Sequence, residues 1–262
     1  MRLCISTLKR RGQKTEDGAC LAALSDQIAV VTGAGGGIGK AIAHALGAHG
    51  ATVALVGRTK TKLDATAAGF DTNWPRPVVL PADLSVDEQL DSLNAEVKRR
   101  FTQVDVLVLC AGEIAHGPIE SALVADFDKL YRANVRANYC LIQNLLPALR
   151  KRPGQIVLIN SSVGISAGPN IGQYSATQHA LRALSNALRA EVNPDGIRVL
   201  SVHPGRVATP LQEKLYRKRG SAYRPELLLQ PEDIASVVLN ALILPRSAEV
   251  TEIRLRPLVK SY

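Results

Sequence analysis

The sequence is poor in aromatic residues and lacks both paired cysteines and any long hydrophobic run. Aromatics make up only 4% of the 262 residues although 46% are hydrophobic, so Val, Ile, Leu and Ala must fill the core. Such side chains suit a parallel sheet covered on both faces. The four cysteines, Cys4, Cys20, Cys110 and Cys140, form no C-x-x-C pair and stand at no metal-ligand spacing from a histidine. A chain able to bury a core needs no disulfide staples, so a reducing, cytoplasmic compartment is expected, and no metal. No apolar stretch reaches membrane-spanning length, and the N-terminus has no continuous apolar signal core. Zinc-finger spacing and RNA-binding aromatics are also missing, which leaves the net charge of +9 without a nucleic-acid reading. Part of that charge is local, because Arg2, Lys9, Arg10, Arg11 and Lys14 outnumber Glu16 and Asp17. Residues 1–24 are expected to be a disordered extension, and the partner a small molecule rather than nucleic acid or membrane.

From about Ser25 onward, short apolar runs alternate with segments of helical period. Strands are predicted over Gln27–Thr32, Thr52–Val56, Val78–Ala82, Val106–Ala111, Gln155–Asn160, Arg198–His203 and Glu252–Leu255. Between them lie predicted helices at Ile38–Gly47, from Thr61 to Ala68, Val86–Phe101, Ala122–Arg150, Tyr174–Val192 and Pro231–Leu244. This rhythm specifies an α/β fold, with a doubly wound parallel sheet of about seven strands and helices on both faces. Residues 25–262 are expected to form one domain. The segment Pro210–Pro231 interrupts the rhythm and reads as an irregular lid over a pocket.

The first strand runs into Thr32-Gly33-Ala34-Gly35-Gly36-Gly37-Ile38-Gly39. Glycines between a strand and a helix allow a sharp turn and let a diphosphate approach the helix N-terminus, where unpaired N–H groups favour an anion. The spacing Thr-Gly-x-x-x-Gly-Ile-Gly resembles that of the short-chain dehydrogenase/reductase family, matching at Thr32, Gly33, Gly37, Ile38 and Gly39. The resemblance covers about residues 24–262 and implies a Rossmann-like fold that binds a nicotinamide dinucleotide at Gly33, Gly35, Gly36, Gly37, Ile38 and Gly39.

The second strand ends at Gly57-Arg58, where an NAD-preferring fold usually carries an acid for the ribose 2′-hydroxyl. The planar fork of Arg58 suits a 2′-phosphate, so NADP(H) is expected over NAD(H). By the resemblance, Asp83 binds adenine, although it could equally cap the following helix. The fourth strand ends Leu109-Cys110-Ala111-Gly112, where the family usually has Asn-Asn-Ala-Gly; only Ala111 and Gly112 remain as cofactor contacts.

Asn134, Ser161, Tyr174 and Gln178 resemble the family's Asn–Ser–Tyr–Lys tetrad with the lysine replaced. Ser161 lies thirteen residues before Tyr174, and Gly164 and Pro169 align without a gap; Ser162 is the alternative serine. A tyrosine hydroxyl can protonate the oxygen formed by hydride transfer to a carbonyl, while a serine hydroxyl holds it. Asn134 is implied to hold a water in the proton relay. Gln178 can keep a ribose hydrogen bond but supplies no charge, and His179 and Arg182 are poorly placed to replace the lysine. Tyr174 is therefore expected near its ordinary pKa of about 10, with carbonyl reduction favoured over alcohol oxidation.

Beyond the sixth strand, Pro204, Gly205, Val207 and Thr209 resemble the family's nicotinamide-contacting segment, while His203 reads as structural. Lys214, Arg217, Lys218, Arg219 and Arg224 read as a solvated basic face or, less simply, as an attraction for an anionic substrate. A homodimer or homotetramer is implied, with Leu141, Leu145, Leu181 and Leu184 either on its faces or in the core. Two functions remain: an NADP(H)-dependent carbonyl reductase or alcohol dehydrogenase, and a catalytically impaired relative that binds NADP(H) to sense or regulate. The substrate is not readable from sequence.

Overall fold

The computed structural model describes residues 23–259; most of the extension at 1–24, with Cys4 and Cys20, lies outside them. One sheet organises the molecule. Its strands are β1 (Ile28–Thr32), β2 (Thr52–Gly57), β3 (Val78–Pro81), β4 (Val106–Leu109), β5 (Gln155–Ile159), β6 (Arg198–Pro204) and β7 (Glu252–Leu255). All pairs are parallel and the order is β3-β2-β1-β4-β5-β6-β7. The expected doubly wound sheet is present. Beyond their carboxyl ends, where the order reverses between β1 and β4, lies the crevice in which such sheets bind ligands.

Successive residues of each strand point to opposite faces. Val30, Leu107, Leu109, Ile156, Leu158 and Val199 enter one core, with α3 (Asp87–Arg100), α5 (Ala137–Lys151) and α6 (Gly172–Val192). Ala29, Val31, Val53, Leu55, Val106, Val108 and Val157 enter the other, with α1 (Gly37–Ala48), α2 (Lys60–Ala68) and α8 (Pro231–Leu242). Both faces being covered explains why these strands read as continuous apolar runs.

The helix predicted as Ala122–Arg150 divides into α4 (Val124–Tyr131), a wide turn at Arg132–Arg136 and α5. The wide turn has i→i+5 hydrogen bonding, which helical periodicity does not reveal. The Pro210–Pro231 segment is more ordered than expected. It opens with α7 (Pro210–Lys218), whose N-cap Thr209 accepts from the Gln212 N–H at 3.2 Å and whose first residue is a proline. Of the four candidate interface leucines, Leu141, Leu145 and Leu181 belong to the core of this chain. The exposed apolar stripe instead runs along Leu123, Val124, Phe127, Tyr131 and Tyr139. Among the described residues no helix is long and apolar enough to cross a membrane, and no cluster of potential metal ligands occurs.

Candidate active site

A cavity of about 950 Å³ opens at the carboxyl ends of the strands and is lined by every residue assigned above to the cofactor or the reaction. Its floor begins at the turn after β1. A Cβ on Gly39 would lie 2.4 Å from the Gly33 carbonyl oxygen, so only glycine lets α1 start this close to the strand. The first turn of α1 has no acidic side chain, and its N–H groups face the cavity without competition for an anion. Thr32 stands behind the loop: its hydroxyl accepts from the Cys110 and Ala111 N–H groups at 2.9 and 3.0 Å and donates to the Val108 carbonyl. Thr32 thus fastens β1 to the end of β4. Burial pushes the Cys110 thiol up to about 12, so it stays protonated beside the site.

At the adenosine end, Arg58 is not free. It forms an ion pair with Glu113 at 2.7 Å. Glu113 follows Gly112 in the segment where the sequence offers no role, and no local signal marks it, because the pair forms only when the ends of β4 and β2 meet. Asp83 closes the same end. Its carboxylate accepts from the Ser85 N–H at 3.0 Å and hydroxyl at 2.6 Å, starting a turn four residues before α3 rather than capping that helix. Burial alone would raise its pKa; the Ser85 hydrogen bonds and the Arg58 charge outweigh this and hold it below the ordinary value.

At the other end, Tyr174 stands in the first turn of α6 and is half-buried. Ser161 caps the short turn at Ser162–Gly164, accepting from the Val163 N–H, and its side chain is hydrogen-bonded to Tyr174. Ser162 is exposed, so Ser161 is the serine set against the phenol. Tyr174 departs from the expectation of an ordinary pKa, because burial pushes it up to about 12 against the opposing Ser161 hydrogen bond. Desolvation disfavours the tyrosinate, and no cation on α6 compensates.

Gln178 lies one turn along the same face and is buried. Its side-chain oxygen has no hydrogen-bond partner. Leaving such an atom orphaned costs on the order of 1–3 kcal/mol, so it calls for a donor from a ligand. Asn160 positions this turn. It accepts from the Ser161 N–H at 2.7 Å and donates to the Gln178 carbonyl at 3.0 Å, joining β5 to α6. Gly164 has to be glycine for this link, since a Cβ there would sit 2.4 Å from the Asn160 side-chain oxygen.

The Asn134 side chain is engaged within the chain. Its amide accepts from the Glu113 N–H at 2.8 Å and donates to the Glu113 carbonyl at 2.9 Å and to the Thr177 hydroxyl at 3.1 Å. Its own carbonyl accepts from the Asn138 amide. Asn134 therefore braces the segment after β4 against α6. His203 is buried between the Ser201 hydroxyl and the Ser161 carbonyl, and burial lowers its pKa. The Val207 backbone is flanked by hydrogen bonds from Ala208 to Leu229 and from Leu229 to Arg206, which hold this segment in place.

A doubly wound sheet, a glycine turn against a helix N-terminus and a serine–tyrosine pair in the same crevice define a nucleotide-binding oxidoreductase scaffold. The short chain dehydrogenase profile matches residues 27–220, and the chain belongs to that family, which uses nicotinamide cofactors. An uncharacterized oxidoreductase of Staphylococcus aureus (strain USA300) is 34% identical over 237 residues, spanning 89% of this chain and 98% of that protein. The alcohol dehydrogenase of the archaeon Thermococcus sibiricus, solved with 5-hydroxy-NADP, superimposes with a TM-score of 0.82 at 28% identity, over 90% of this chain and 98% of that one. A metagenomic short-chain oxidoreductase solved with NADP gives 0.77 at 31% identity, over 91% and 100%.

Proposed function

We propose that the protein is an NADP(H)-dependent reductase of carbonyl compounds, in which Tyr174 is the proton donor and Ser161 holds the carbonyl oxygen. The observation that carries this reading is the Ser161–Tyr174 hydroxyl pair beside the orphaned Gln178 side-chain oxygen, in the crevice that begins at the glycine turn. The cradle fits a dinucleotide: Gly35, Gly36, Gly37 and Ile38 would take the diphosphate, Arg58 a 2′-phosphate, and Gln178 a ribose hydroxyl. Asp83, Ala111 and Gly112 would border the adenosine, and Pro204, Gly205, Val207 and Thr209 the nicotinamide. When bound, the reduced cofactor supplies a hydride to the carbonyl carbon.

Everything else falls to this chain. Ser161 would orient the carbonyl oxygen, and Tyr174 would pass its phenolic proton to that oxygen as negative charge develops. With its pKa pushed up to about 12, the phenol is fully protonated near neutral pH, which favours reduction over the reverse direction, where tyrosinate must act as base. Asn160 and Asn134 act as positioning residues. The segment 210–231 is proposed as the lid, and the α4–α5 stripe as the face for a homo-oligomer.

The test is NADPH consumption with a panel of aldehydes and ketones, comparing wild type with Tyr174→Phe. Turnover that collapses in the variant while NADPH still binds supports the proposal. Equal silence of both proteins with NADPH bound would leave a sensing or regulatory relative instead.

A further inference from the structure

The charged groups lining the cavity are unevenly distributed. Its only acidic lining residues, Asp83 and Glu113, belong to the adenosine end, next to Arg58. The opposite end carries Arg206 and Arg219 and no carboxylate. Arg206 donates to the Tyr216 hydroxyl at 3.3 Å, which ties it to α7. Arg219, at the C-cap of α7, has no ion pair among the described residues, whereas nearby Arg217 is paired with Glu213 at 3.0 Å. A guanidinium beside a pocket with no counter-charge is an anion site in waiting.

Arg219 is also held in place. It donates to His116 Nδ1 at 2.8 Å across the cavity mouth, from the end of α7 to the segment after β4. The His116 imidazole is hydrogen-bonded in turn to the Asn170 backbone, four residues before Tyr174. The Gly117 N–H donates to the Asn170 carbonyl at 2.8 Å, bracing the same junction. Burial, together with the Arg219 and Lys218 charges, lowers the His116 pKa. A neutral ring can accept from Arg219 and brings no competing charge. Three segments thus converge to aim one unneutralised guanidinium at the reacting end. Ile114, Val163, Ile171 and Leu215 give the same cavity apolar lining.

We infer that the substrates of this site are carbonyl compounds with an apolar body ending in an anionic head group, and that Arg219 receives that head group. The inference rests on the reductase reading above. It gives one member of the basic run at residues 214–224 a task and leaves the others as solvated surface. His116 is the positioning residue, because it touches Arg219 and not the substrate.

The experiment uses the full chain saturated with NADPH and measures hexanoate, hexyl phosphate and hexanamide by calorimetry, in wild type, Arg219→Gln and Arg219→Lys. In wild type at least one of the two anions is expected to bind about tenfold more tightly than the neutral amide, with the gap narrowing as salt rises. Whichever binds more tightly identifies the head group. Arg219→Gln should erase the gap, Arg219→Lys should keep part of it, and neither should change NADPH affinity or the melting temperature. In turnover, a series of oxo acids should show KM values about tenfold below those of their methyl esters, a difference that Arg219→Gln removes with kcat nearly unchanged. Three results overturn the inference while the reductase reading stands: anions and amide bind equally, the preference survives in Arg219→Gln, or that variant loses NADPH affinity because Arg219 serves the cofactor. No binding of NADPH to the wild type would remove both.

Discussion

At the glycine turn the cavity is made of backbone, whereas around Tyr174 it is made of side chains that meet from distant parts of the chain. The first region depends on a close approach, Gly39 against the Gly33 carbonyl, that any other residue would spoil. The second depends on hydrogen bonds that several residue types can make. Thr32 and Asn160 position the segments that meet there, tying β1 to the end of β4 and β5 to α6. Backbone geometry fixes the binding of a cofactor; side-chain chemistry is where catalytic power can be tuned.

The sharpest contrast between the two regions comes from Tyr174→Phe. It removes the proposed acid and leaves the glycine cradle intact, so carbonyl reduction should fall by about 10²–10⁴ while NADPH affinity measured by fluorescence titration stays within about twofold. A parallel loss of both would mean that the two ends of the cavity are not separable.

Gln178→Lys tests the missing charge. An ammonium about 5 Å from the phenol at an effective dielectric of about 20 is worth roughly 3 kcal/mol, or about 2 pKa units. Wild-type alcohol oxidation needs tyrosinate, and with the phenol pushed up to about 12 its rate should climb about tenfold per pH unit from pH 7 to 10 without levelling. The lysine variant should oxidise about 100-fold faster at pH 8 and approach a plateau near pH 10. Reduction, which needs the neutral phenol, should stay flat over that range in wild type. Identical pH profiles for the two proteins would show that Gln178 does not govern this phenol.

Gly39→Ala attacks the backbone region instead. Placing a methyl group 2.4 Å from a carbonyl oxygen forces the turn open, at about 1–3 kcal/mol by the usual cost of overpacking. Thermal melting should fall by several degrees and NADPH affinity by about tenfold, with the residual turnover per bound cofactor retained. An unchanged melting curve would show that the turn can relax around the methyl group.

The same contrast governs what could be read from sequence. The seven strands follow from apolar runs that alternate with helical segments, and the glycine turn is visible because its spacing is local. Ser161 and Tyr174 were legible because they lie on adjacent elements thirteen residues apart. Glu113 was not, since its importance arises only when the end of β4 is brought beside the end of β2. The Tyr174 pKa departs from the sequence expectation for a related reason: Gln178 is visible in sequence, but the desolvation of the phenol by the surrounding walls is not. Helical period also could not show that Asn134 sits in a wide turn with its amide turned toward Glu113 and Thr177.

Glu113→Gln gives the smallest expected effect and bears on cofactor choice. In the free protein the Glu113 carboxylate holds Arg58 at 2.7 Å, so a 2′-phosphate must displace an anion and then remain near it. Arg58 is well exposed, which limits the pair to about 1 kcal/mol after screening. Neutralising Glu113 frees the guanidinium and removes the repulsion, so NADPH affinity should rise about fivefold, by that same 1 kcal/mol. NADH carries no 2′-phosphate and should gain nothing. The NADPH affinity of the variant should also fall more steeply with salt, because the phosphate then meets an uncompensated cation. Titration of both cofactors at two salt concentrations separates the cases: a selective gain assigns Arg58 to the phosphate with Glu113 as its brake, and an equal shift for NADPH and NADH removes the pair from cofactor discrimination.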